Sequence, residues 1–371
     1  MKRNLEIKNW LLIGATVFSC STLMAGNKDR VGAAGATELL VNPWARSTAL
    51  GDANVAAVNG IESTFINIAG LSTVEKTQIK VDYTNWLGAA KVNLVTAGVA
   101  QRLGDAGVIS VGIQSFNFGD VMRTTVENPE GGIGTFSPRL NVFSIGYAKM
   151  FTPSIHGGIQ FKVINEGIAD AKATGVAIDA GVRYQTGKND RLKIGITLKN
   201  VGPSMKYKGD GFQSQASILE TGADASLEQI SQGFELPSIL SLGFSYDVFL
   251  NAKAKEGSKA TLAKGELAHV LTPMAAFTAN SFGKDQIRVG LDYGLVSPHV
   301  AFNLRFGYVY ENGVFKPESR TTALTGLTAG FSIDALTKNK SAIGIEYAVR
   351  MANLSGGSML IHSVGIAVSL K

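Results

Sequence analysis

Side chains able to make or break covalent bonds are scarce in this chain. The only cysteine is Cys20, and the four histidines, His156, His269, His299 and His362, lie in separate segments. None stands in the His-Glu-x-x-His spacing of a zinc hydrolase or in any paired-ligand spacing, so no metal and no other cofactor is expected. Gly131-Gly132-Ile133-Gly134 lacks the Lys-Ser/Thr pair and the following helix that a phosphate loop requires. A barrel can place a nucleophile and a base on neighbouring strands, but spacing selects no Ser/His pair here, and the reading is against an enzyme. What the chain offers instead is charge at fixed intervals. Asp179 and Arg183, Arg288 and Asp292, Arg305, and Glu346 and Arg350 stand in runs where every second residue is apolar. The chemistry open to them is ion pairing, or keeping a wall solvated.

Those runs have the two-residue period of strands. Val176, Ile178, Ala180, Val182 and Tyr184 point one way, and Ala177, Asp179, Gly181 and Arg183 the other. The runs 192–199, 287–294, 302–310 and 343–350 repeat the pattern, with glycines mixed among the charges. A soluble sandwich would bury the oily face; a membrane barrel turns it to lipid and turns the polar face to a lumen. Tyr184, Tyr293, Tyr308 and Tyr310 end the oily face, where an interfacial girdle would sit.

Composition and the N-terminus favour the membrane. Among 371 residues only 17% are charged, 43 are glycine, and the mean hydropathy is +0.13; a soluble domain carries about a quarter charged residues. Past residue 25 no apolar run approaches the roughly 18 to 20 residues of a spanning helix. Of the net charge of +6, two units belong to the first 25 residues, and the remainder is too scattered for nucleic acid. Lys2, Arg3 and Lys8, the apolar stretch Trp10 to Phe18, and Leu23-Met24-Ala25 read as a signal peptide over 1–25, with a mature start near Gly26. Cys20 then falls in the discarded segment. The alternative is a lipidation site, since Val17-Phe18-Ser19-Cys20 loosely resembles a lipobox, although Phe18 and the better cut at Ala25 oppose it. The expected address is the outer membrane of a Gram-negative cell.

Fourteen strands are expected, near 76–86, 91–102, 106–117, 139–151, 154–166, 173–187, 190–201, 236–249, 270–279, 285–296, 299–310, 321–334, 340–351 and 357–370. Links after even strands are mostly short turns, and the long links 118–138 and 203–235 follow odd strands, which is the asymmetry of outer-membrane barrels. The long link 250–269, carrying Lys253, Lys255, Lys259 and Lys264, breaks the rule and reads as a solvated insertion. The fold class is therefore all-β: a transmembrane antiparallel β-barrel of about fourteen strands over 76–371. Residues 26–75 do not alternate, and their apolar Ala/Gly-rich pieces predict a short plug in the lumen.

Two stretches of that plug, Ala45-Arg46-Ser47-Thr48-Ala49-Leu50-Gly51-Asp52-Ala53 and Asn67-Ile68-Ala69-Gly70-Leu71, resemble the PorV/PorQ family of outer-membrane proteins, itself similar to the FadL fatty-acid transporters. Residues 119–131, 175–184 and 198–205 extend the resemblance, which covers about 33–371. The chain departs from the family at Ile68, where a proline is usual, so a looser turn is expected, and at its Ser369-Leu370-Lys371 end, which lacks a terminal aromatic. The resemblance implies a FadL-like barrel whose plug is set by Arg46, Gly51, Asp52, Asn67 and Gly70. The function it implies first is secretion, with a channel as the alternative. A PorV-like component of the type IX secretion system would partner the translocon and cargo with C-terminal sorting domains. A FadL-like channel would take a hydrophobic small molecule. Outer-membrane lipid is a partner in both, and nucleic acid in neither.

Overall fold

The computed structural model describes residues 30–217, 224–251, 267–313, 322–337, 341–354 and 357–370. The expectations for 1–25, Cys20 included, and for the four lysines of 253–264 lie outside the described residues. Fourteen strands form one closed antiparallel barrel: β1 (Thr77–Leu87), β2 (Val92–Arg102), β3 (Val108–Asn117), β4 (Arg139–Thr152), β5 (Ile155–Ile168), β6 (Ala171–Thr186), β7 (Leu192–Val201), β8 (Ile239–Tyr246), β9 (Ala268–Asn280), β10 (Gln286–Val296), β11 (Val300–Glu311), β12 (Gly326–Leu336), β13 (Ala342–Leu354) and β14 (Gly357–Leu370). Each strand pairs with its sequence neighbours, and β14 closes on β1 from Thr77↔Leu370 to Asn85↔His362. Closure leaves no sheet edge unpaired, which is what a wall in hydrocarbon requires.

The two faces divide as the alternation requires. On β6, Val176, Ile178, Val182 and Tyr184 are exposed on the outside, whereas Asp179 and Arg183 are 2% and 1% exposed within. The same division holds on β1, where Ile79, Val81 and Tyr83 face out and Lys80 and Asp82 face in. An apolar outer face over a charged inner one is stable only with lipid outside.

Strand ends differ from the sequence reading where proline or a missing neighbour intervenes. β8 runs 239–246 rather than 236–249, because Pro237 has no N–H for a ladder. Its pairing with β9 stops at Ser245↔Met274 and resumes only at Val248↔Leu271. Pro273, which has no N–H to offer the ladder, sits in that break.

The lumen is filled by residues 37–74, which form short 3₁₀ turns and one five-residue helix, α1 (Ala45–Ala49). Asp82 of β1 caps α1 from outside: its Oδ2 accepts the Ala45 N–H at 2.6 Å, a favourable place for a carboxylate at a helix N-terminus. Trp44, Val55, Ile61, Ile66, Ile68, Leu71 and Val74 pack with the wall residues Ala100, Val108, Ala148 and Ala276 in the main apolar core. The wall glycines explain the close fit. A Cβ on Gly98, Gly146, Gly181, Gly195, Gly243, Gly307 or Gly330 would overlap Ile61, Ile68, Asn67, Val55, Val55, Leu50 or Ala49 of the plug, respectively. Glycine lines the lumen at these close approaches, because any side chain there would occupy the plug's place.

Candidate functional site

The plug positions singled out by sequence are joints of its backbone or its anchors to the wall. Asn67 is 1% exposed. Its Oδ1 accepts the Ala69 N–H at 3.2 Å, and its Nδ2 donates to the carbonyls of Val55 at 3.0 Å and of Val182 on β6 at 3.2 Å. Gly70 lies where a Cβ would overlap the Val58 carbonyl and Ser63 Oγ. Gly51 and Asp52 both have left-handed backbones, φ 60° and 61°, a conformation that glycine adopts freely and aspartate tolerates. That turn presents the Asp52 carboxylate to two wall guanidiniums, Arg288 at 2.7 Å and Arg350 at 3.2 Å, while Asn42 donates to its other oxygen at 2.5 Å. Arg46 reaches Glu346 at 2.6 Å, Glu62 at 3.5 Å and Asp334 at 3.8 Å. Ile68, at the position where the resembled family has proline, is 2% exposed and packs against Gly146.

The lumen charges do not simply pair with each other. Asp292 and Arg305 are cross-strand neighbours, paired at 3.2 Å. Asp179 pairs with Lys162 at 2.5 Å and accepts the Asn200 N–H at 2.7 Å. Arg183 instead turns to the plug, donating to the Val58 carbonyl and Asn59 Oδ1, each at 2.9 Å. Glu346 binds Arg46 and, at 2.5 Å, Lys80. Lys80 also reaches Glu62 of the plug at 2.5 Å.

Sequence reasoning missed Lys80, Asp82, Lys162 and Glu62. The first three stand at inward positions of alternating strands, so the period that found Asp179 would have found them; Lys199, on the polar face of the run 192–199, is inward as that period requires and donates to the Phe65 carbonyl at 2.9 Å. Glu62 lies in the non-alternating plug and carries no such signal. It also missed a buried Ser72–His156 contact of 2.7 Å. Ser72 Oγ donates to the Ala69 carbonyl, and His156 Nε2 meets Gln185 at 2.7 Å. The contact ties the plug to β5.

Two sizeable cavities flank the plug. At the mouth bearing links 118–138 and 202–238 is a vestibule of about 480 Å³. Its wall is apolar, with Trp86, Phe116, Phe118, Leu140 and Leu324, and the Trp86 and Phe116 rings meet edge to face at 6.0 Å. Its floor is polar, with Gln286, Arg288, Glu311 and Arg350. At the opposite mouth a cavity of about 300 Å³ is lined by Arg46, Asn54, Lys193, Asp247, Asp292 and Arg305 among others. The Asp52–Arg288–Arg350 cluster lies at the vestibule floor, where the plug meets the wall.

No protein-family model matches this chain, and no curated protein sequence matches it. Among solved structures it is similar to the CymD monoaromatic hydrocarbon channel, at 11% identity over 93% of this chain and 99% of that one, with a TM-score of 0.48. It is also similar to the Pseudomonas putida toluene transporter TodX, at 12% identity over 89% and 98% of the two chains and a TM-score of 0.48. A Pseudomonas aeruginosa FadL homologue gives 12%, 89%, 98% and 0.46. Likeness at this level does not bear on function.

Proposed function

We propose that this chain is an outer-membrane channel of FadL-like type for small hydrophobic molecules. The observation that carries the reading is the vestibule. Its volume of about 480 Å³ lies within the usual range for small-ligand sites, which combine apolar walls with a few convergent polar groups. Trp86, Phe116 and Phe118 would hold an apolar body, and Arg288 and Arg350 would meet a polar end. Onward passage requires the plug to shift, and the Asp52 contacts are what must break.

Trp86 provides the test. The chain has three tryptophans; Trp44 is buried in the plug core and Trp86 lines the vestibule. A brominated medium-chain fatty acid should quench Trp86 saturably in the reconstituted protein. Phe116→Ala should weaken binding about tenfold, the worth of roughly 1.4 kcal/mol. Quenching that persists unchanged in Trp86→Phe would show that the probe binds elsewhere.

A second reading, a PorV-like partner of the type IX translocon and its cargo, is supported by the link 118–138. There Val121, Met122, Val126 and Ile133 are exposed on a small hairpin, more apolar surface than a solvated loop needs. Cross-linking at Val126 in native membranes that captures a translocon subunit would favour it; capture of lipid alone would sink it.

A further inference from the structure

The start of the plug is joined to the 202–238 link. The Gly35 N–H donates to the Glu235 carbonyl at 3.1 Å, and Met205 and Phe234 exchange two backbone hydrogen bonds of 2.8 and 2.9 Å. Tyr207 and Lys208 then pair with Ala173 and Lys172 of β6. Plug, link and wall are thus joined in series.

Beneath this junction three polar groups meet: Glu38 of the plug, Glu166 of β5 and Tyr207 of the link. The Tyr207 hydroxyl donates to Glu166 Oε2. The Glu38 carboxyl lies against that of Glu166. Oε1 of each carboxyl has no hydrogen-bond partner, although Glu38 is only 4% and Glu166 6% exposed. The surroundings contributed by β4, β5, β6 and the link are apolar: Val142, Ile164, Ala173, Ala177, Met205 and Leu236. From β3, Gln114 donates only to the Glu38 backbone carbonyl. Lys162, on the same inward face of β5, is bound to Asp179 and Asn200. Lys172 and Lys208 of the junction are exposed. Neither carboxyl forms a salt bridge among the described residues.

Two carboxylates cannot both stay ionised in an apolar pocket without a cation, because desolvation and mutual repulsion each favour the acid form of one. We propose that Glu38 and Glu166 form a one-proton site that latches the plug to the 202–238 link, and that loss of the proton frees the link from the plug. Burial, and then the charge of Glu166, push the Glu38 carboxyl up to about 8. An acid raised in this way gives its full stabilisation below its ordinary value of 4.5 and loses it as pH rises through about 8. The latch is tightest in acid, weakens across the neutral range and is weakest above about 8. It operates whatever the vestibule carries.

The test is proteinase K cleavage within 202–238 of the full-length protein in vesicles, from pH 6 to 10, normalised to an unstructured peptide. Wild-type cleavage should climb by up to about tenfold per pH unit from pH 6 to about 8, the slope for one proton, and level off above. Glu38→Gln, which cannot ionise, should remain slow and flat, whereas Glu166→Gln removes the facing charge but not the burial of Glu38 and should keep a smaller rise. A flat wild-type profile, or a full rise retained in Glu38→Gln, overturns the proposal. So does reclosure by calcium at pH 9 together with opening by a chelator at pH 6, which would make the pair a cation site. If the variants do not assemble, the wild-type infrared band of a protonated carboxylic acid decides: it must vanish near the pH at which the rise in cleavage levels off.

Discussion

Removing the Asn67 side chain should undock the plug while leaving the barrel standing. Asn67→Ala deletes one accepted and two donated hydrogen bonds, all in buried surroundings. The Val55 and Val182 carbonyls and the Ala69 N–H would be left without those partners. At about 1 kcal/mol for each bond the docked plug should lose about 3 kcal/mol. Hydrogen exchange followed by mass spectrometry reads this directly. Exchange through local opening speeds up about tenfold for each 1.4 kcal/mol, so amides of 55–73 should exchange roughly a hundredfold faster. Amides of β10 to β13, which do not depend on Asn67, should keep their protection. Asn67→Ser retains an oxygen able to cap Ala69 and should recover about a third of the loss. Exchange in 55–73 within threefold of wild type would refute the account of Asn67 as a rivet. Equal acceleration across the barrel strands would refute the separation of plug from wall.

Other perturbations follow from the same contacts. Asp52→Asn leaves Arg288 and Arg350 facing each other without their shared carboxylate. Loss of one member of a buried ion cluster costs about 3–5 kcal/mol, so planar-bilayer recordings should show openings that wild type lacks. Gly181→Ala puts a methyl group into Asn67 Oδ1 and should lower thermal stability by about 1–3 kcal/mol; Val182→Ala, on the lipid face, should stay within about 0.5 kcal/mol. Ile68→Pro suits the extended Asn67 backbone at φ −155°, ψ 107°, but it sacrifices a buried side chain worth about 1.5–3 kcal/mol. Calorimetry should therefore show net destabilisation despite the stiffer turn.

Much of the wall was legible because its signals are local. Strand count follows from runs of alternating polarity, each complete within about a dozen residues. The inward set was legible too: Asp179, Arg183, Arg305 and Glu346 face the lumen because their neighbours at odd spacing are oily. The partners were not legible. Asp179 and Arg183 sit four apart on one strand and look like a pair, yet one binds Lys162 and the other binds plug oxygens. The proximity of Ser72 and His156 was equally invisible, since one lies in a 3₁₀ turn and the other on a strand 84 residues later.

By itself, then, the sequence determined an even-stranded barrel, which face meets lipid, and a non-alternating segment left to fill the lumen. These depend on side-chain period and composition, which each short run carries alone. Only the tertiary structure decided how the plug sits. Arg46 meets Glu346 across 300 residues, and closure of the barrel brings glycines from many strands beneath one short chain. No local period encodes such a meeting. It depends on where separate strands stand around the lumen, and on the high cost of burying a charge or a carbonyl there without a partner.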